Sequence, residues 1–114
     1  ASGGYLRELA LNNGGTSGVL YFNPINFPVE STVRRFEALQ VPASGIFRSL
    51  LSVIDSLEAS NNVFQMNPAG ESATWAKYRT ELNIKDDRLQ FFLSPQNGIS
   101  GWKFFRFMYE SIER

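Results

Sequence analysis

Ala76-Lys77-Tyr78-Arg79-Thr80-Glu81-Leu82-Asn83-Ile84 runs directly into Lys85-Asp86-Asp87-Arg88 and then into Leu89-Gln90-Phe91-Phe92-Leu93. In the first segment Ala76, Tyr78, Thr80, Leu82 and Ile84 alternate with Lys77, Arg79, Glu81 and Asn83. A period of two, with one largely apolar and one polar face, is that of a half-buried antiparallel strand. Leu89, Phe91 and Leu93 resume the apolar face after a polar tetrad of turn-forming type, so the spacing predicts a hairpin. Just upstream, residues 63–66 read as a short apolar strand closed by Asn67-Pro68-Ala69-Gly70.

Outward from this hairpin the period changes to that of helices. Ser44 is placed to cap a helix in which Ile46, Leu50, Val53, Ile54 and Leu57 form one stripe. Arg48, Ser52, Asp55 and Glu58 take its other side. Pro28 suits a first helical turn, and Val29, Val33, Phe36 and Leu39 follow at helical spacing until Val41-Pro42. After Pro95, Ser100 can cap a last helix with Lys103, Arg106, Glu110 and Glu113 on one side. Phe104, Phe105, Met108 and Ile112 occupy the other. A strand competes there, because aromatic residues favour sheets, and the polar stripe decides for helix. At the other end, Asn12-Asn13-Gly14-Gly15-Thr16-Ser17-Gly18 reads as a flexible turn joining residues 5–11 to Val19-Leu20-Tyr21-Phe22.

The expectation is therefore an α+β fold: a small antiparallel sheet of about four to five strands with two or three helices packed on one face. One domain covers residues 1–114, with an N-terminal hairpin in 1–24, a helical segment in 27–60, antiparallel strands in 62–95 and a C-terminal helix in 100–114. A chain of 114 residues and 43 % hydrophobic composition supports one core and excludes disorder. Eleven basic residues balance eleven acidic ones, so no global charge draws the chain to nucleic acid or anionic lipid. No apolar run approaches the roughly 20 residues of a spanning helix. The chain opens Ala1-Ser2-Gly3-Gly4 without Met, as a processed product or a piece of a longer protein does, and it assigns no compartment.

The absence of Cys and His removes thiol chemistry, disulfides, Cys/His zinc sites and the usual imidazole base. Asp86-Asp87, with Glu81 nearby, is the one adjacent acidic pair, but it falls in the expected turn. Ser100-Gly101-Trp102-Lys103 places a hydroxyl and an amine one helical turn apart without the companion motifs of Ser/Lys enzymes. The glycines at 14, 15 and 18 match neither a P-loop nor a dinucleotide fingerprint. The expected protein is thus no enzyme and carries no metal or cofactor.

Binding is better supported. Sixteen aromatics include ten Phe, and the C-terminal segment holds more rings than one core-facing stripe needs. Trp102, Phe105, Phe107 and Tyr109 are accordingly expected to form a protein interface, with another protein or a second copy. The alternative is single-stranded RNA or DNA, held by Lys77, Arg79, Arg88, Lys103 and Arg106 with aromatic stacking.

Overall fold

The structure, a computed structural model, describes residues 5–8, 11–13, 19–40, 49–57, 62–95 and 102–111. Eight strands follow in chain order: β1 (Tyr5–Glu8), β2 (Leu11–Asn13), β3 (Leu20–Phe22), β4 (Ile25–Gln40), β5 (Ser49–Ile54), β6 (Asn62–Glu71), β7 (Ala76–Pro95) and β8 (Trp102–Ser111). Their pairings are all antiparallel, and together they form a curled half-barrel. No helix occurs among the described residues.

The 20-residue β7 organises the sheet. Along one edge it meets β3, with Leu20 opposite Leu93, and then β4, from Ile25 opposite Leu89 to Gln40 opposite Ala76. Its other edge carries β5 at 90–95 and β6 at 76–79. Beyond β4 lie β8 and then β1, while β2 pairs with β3.

Those pairings force β7 to bend. A straight strand of this length would reach roughly 63 Å, since each residue advances ~3.3 Å. The longest dimension of the molecule is 45 Å. Moreover, β5 pairs with both β7 and β6, and β6 then pairs with the opposite end of β7. That cycle closes only if β7 curves between Thr80 and Leu89.

Bulges provide the curvature, because an unpaired extra residue bends a strand and raises its twist. Asn26 faces Arg88 and Ser31 faces Asp86, so four residues of β4 (Phe27, Pro28, Val29 and Glu30) oppose Asp87 alone. Pro28, which has no N–H to donate to the ladder, is tolerated in such a bulge. Arg34 is a second bulged residue: Val33 and Arg35 face the adjacent Tyr109 and Met108. Lys103 is a third, between Phe104 and Trp102.

The concave side is filled by rings. Phe22, Phe27, Phe36, Phe91, Phe105 and Phe107 are all buried. Centroids lie 4.7 Å apart for Phe22–Phe105, 5.1 Å for Phe36–Phe91 and 5.8 Å for Phe91–Phe107. Tilted and edge-on pairs of this kind each add about 0.5–1.5 kcal/mol beyond burial. Leu51, Val53, Leu89, Leu93 and Met66 complete the core on the β5–β6 side.

The architecture corrects the expected α+β fold and its helices. Residues 27–40 are strand, Ser49–Ile54 is strand with Ser49, Leu51 and Val53 turned inward, and Trp102–Ser111 is strand. Residues 41–48, 58–61, 96–101 and 112–114 lie outside the described residues, including the expected caps Ser44 and Ser100. In β8 the inward residues are Trp102, Phe105 and Phe107. The bulge at Lys103 stretches one step of two into a step of three, and three is also a helical spacing. Arg34 does the same between Val33 and Phe36.

The expected hairpin is corrected too. Lys85 and Asp86 stay paired to Thr32 and Ser31, and Arg88 and Leu89 to Asn26 and Ile25. The inward series nevertheless changes parity between Leu82 and Leu89. A change of parity accompanies either a reversal or a bulge, and here the bulge occurs. Likewise residues 67–70 do not end a strand. β6 continues to Glu71, with Gly70 at φ 141°, a value costly for residues with a Cβ.

Alanine substitution along β8 should alternate in cost. Phe105→Ala and Phe107→Ala are each expected to lose about 3–5 kcal/mol, and Phe104→Ala less than about 1 kcal/mol. Urea unfolding checks this, and a large loss at Phe104 would contradict the strand.

Candidate binding surfaces

Alternation along the strands leaves every second side chain on the convex side. Across β8, β4 and β7 the register aligns Arg106, Glu37 and Arg79 in one row and Phe104, Leu39 and Lys77 in the next. Arg106 Nε donates to Glu37 Oε1 at 2.6 Å, and Lys77 Nζ lies 3.9 Å from Oε2. The Glu37 side chain is only 7 % exposed although it belongs to the outer face. Removing a carboxylate from water costs desolvation, which these two cations offset. Glu81 Oε1 sits 3.7 Å from Arg79 Nε and 3.3 Å from Arg35 Nε, the latter too misaligned for a hydrogen bond. Four cations thus share two carboxylates.

The bulged Arg34 ties its neighbours together. Its Nε donates to Glu110 Oε2 at 3.0 Å and its Nη1 to Asn83 Oδ1 at 2.9 Å, joining β8 to β7 across β4. Partly exposed ion pairs like these contribute about 0–1 kcal/mol each, so they set local geometry more than stability.

The convex side of β3, β7, β5 and β6 differs in kind. Tyr21, Phe92, Ser52 and Val63 form one row, Ser94, Leu50 and Gln65 a second, and Gln90 and Ile54 a third. None of these residues is charged. Tyr21 and Phe92 meet edge to face at 5.3 Å. Leu50 and Val63 remain 46 % and 51 % exposed.

Of the residues singled out in the sequence, Trp102, Phe105 and Phe107 are buried in the core. Tyr109 is half-buried against Phe27 at 5.1 Å. They line the inside of a strand, not a helical contact face. Arg106, distant in sequence from Lys77 and Arg79, converges with them around Glu37 and Glu81. Arg88 is exposed beside Asn26 at the bend, away from that group. The Lys103 side chain lies outside what the structure describes.

Sequence spacing puts Phe104 and Leu50 on the apolar sides of expected helices and Val63 in an expected strand, and it gives Glu37 no role. Ser49–Ile54 did carry a signal, since it has no charge on either face, as in strands covered on both sides. Glu37 carried none.

The acidic pair has a structural task. Asp86 Oδ2 accepts from Ser56 N and Ser56 Oγ, both at 3.0 Å, and Oδ1 accepts from Asp87 N at 2.7 Å. These bonds anchor the turn after β5 to the bend of β7. Desolvation pushes the Asp86 carboxyl up, but the hydrogen bonds from Ser56 and Asp87 outweigh it and hold it below 3.8. Among the described residues no group of acids is placed to hold a metal ion, and no helix is long and apolar enough to cross a membrane. The glycines at 14, 15 and 18 and Ser100 lie outside the described residues.

A carboxyl whose folded pKa is depressed contributes stability above its unfolded value, and loses it as pH falls through the folded one. Asp86→Asn should therefore cost about 1 kcal/mol near neutral pH and almost nothing once the wild-type carboxyl is protonated. Paired urea titrations near neutrality and at about pH 2 test this, and an equal cost at both would contradict it. Compared with protein families, curated proteins and solved structures, the chain matches none.

Proposed function

We propose that this chain is a non-catalytic assembly module that packs against a second copy of itself through the convex rows of Tyr21, Phe92, Ser52 and Val63 and of Ser94, Leu50 and Gln65, which carry no charge. The observation that carries the proposal is β5, apolar on both faces yet covered on one. Leu51 and Val53 are fully buried beneath it, while Leu50 stays 46 % exposed above. Sheets joined face to face bring side chains together across ~10 Å, and such a contact favours a surface without charges. Its own copy suits that surface best, because two uncharged faces on a chain of formal net charge zero meet without like-charge repulsion.

A second function has one specific observation in its favour. Arg106, Lys77, Arg79 and Arg35 outnumber the carboxylates they share, which favours a single-stranded nucleic acid on the opposite convex surface. Glu37 and Glu81 offset half of that charge, so the assembly function is preferred.

Light scattering across a concentration series is expected to show the mass rising from 12.9 kDa toward twice that value. Leu50→Lys and Val63→Lys should each return the protein to monomer with an unchanged far-UV spectrum. A wild-type monomer at every concentration would overturn the proposal, and a salt-sensitive gain of mass with a mixed oligonucleotide would put the nucleic-acid function in its place.

A further inference from the structure

We propose that the depression around Glu37, on the charged convex side, binds a small monoanion carried on a flat apolar body, of which an aryl carboxylate is the simplest. The depression holds about 230 Å³ and is bordered by Glu37, Leu39, Lys77, Phe104 and Arg106. That is below the ~300–1,000 Å³ of sites for drug-sized ligands and suits one ring system.

Three features select the ligand. The first is charge: Lys77 and Arg106 against Glu37 leave one positive charge over, which one anionic group would balance. The second is donor geometry. Arg106 engages Glu37 through Nε, while its two terminal nitrogens donate to no described residue and its side chain is 46 % exposed. A guanidinium edge matches a planar carboxylate. The third is Phe104, a ring left 61 % exposed beside these cations, with Leu39 next to it in register. A flat apolar body laid there would remove that ring from water. A cationic ligand is disfavoured, because both Glu37 oxygens already face cations and the carboxylate is nearly enclosed.

The probe is naphthoate, titrated into the full chain and followed by heteronuclear NMR, with naphthylmethanol and naphthylmethylamine as neutral and cationic controls. Saturable shifts are expected at residues 37–39, 77 and 104–106, with naphthoate binding about fivefold more tightly than the alcohol. Phe104→Ser, at an exposed position that keeps the fold, should weaken naphthoate by about fivefold. Glu37→Gln raises the local surplus from one charge to two and should tighten naphthoate by about threefold, an effect that added salt diminishes. The proposal is overturned if the amine binds as well as the acid, if Phe104→Ser has no effect, or if shifts appear only at residues 50–54, 63–65 and 90–94. Loss of the assembly function alone would leave these outcomes unchanged, since the two surfaces share no residue.

Discussion

The bend in β7 is the constraint on which the rest of the sheet depends. A strand that meets β6 at one end and β5 at the other, while β5 and β6 pair with each other, has to curve or break. Curvature brings Phe91 toward Phe36 and Phe107 and encloses the rings on the concave side. The bend has its own cost, because the four-residue bulge of β4 forfeits ladder hydrogen bonds opposite Asp87. Asp86 offsets part of it through its bonds to Ser56, and Lys85 lies 3.6 Å from Glu30 across the bulge. A local acidic pair thus serves the geometry of the whole sheet.

The same bulges explain why part of the fold was legible in the sequence and part was not. Strict alternation over residues 76–84 and 89–93 identified strand correctly, because nothing interrupts the pleat within either stretch. Where a bulge inserts one residue, a step of two becomes a step of three, and Val33–Phe36 or Trp102–Phe105 then imitates a helical face. Leu50, Leu51, Val53 and Ile54 satisfy both periods at once, so spacing alone cannot separate them. Composition pointed the right way in β8, where aromatics crowd a segment whose polar stripe suggested helix. The pairing partners of a strand lie far off in sequence, and no local pattern encodes them. For the same reason the gathering of Arg106 with Lys77 and Arg79 was invisible, although each cation had been singled out.

The aromatic excess has mainly a structural explanation. Six of the ten Phe residues form the buried ring cluster that joins β3, β4, β7 and β8. A half-barrel of this size has one concave side to fill, and large rings fill it with few residues. Phe92 and Phe104 are left for the convex side, on surfaces of opposite character. One surface is uncharged and the other is a lattice of cations around two carboxylates. This division within a neutral chain separates contact through desolvation from contact through charge.

The pairing of β1 with β8 bears on how the protein is made. Tyr5 finds its partner Tyr109 roughly a hundred residues later, and most of β4 waits equally for β8. Closing a loop of that length costs about 4 kcal/mol in chain entropy before any contact compensates it. A topology of such high contact order folds slowly. During synthesis the 16-residue β4 leaves the ribosome well before the strand that covers its outer edge. For that interval it is a long bare edge, able to template pairing with other nascent chains. Glu30, Arg34, Arg35 and Glu37, spaced along β4, are the gatekeepers that oppose such pairing, so its charges protect the chain before the sheet exists.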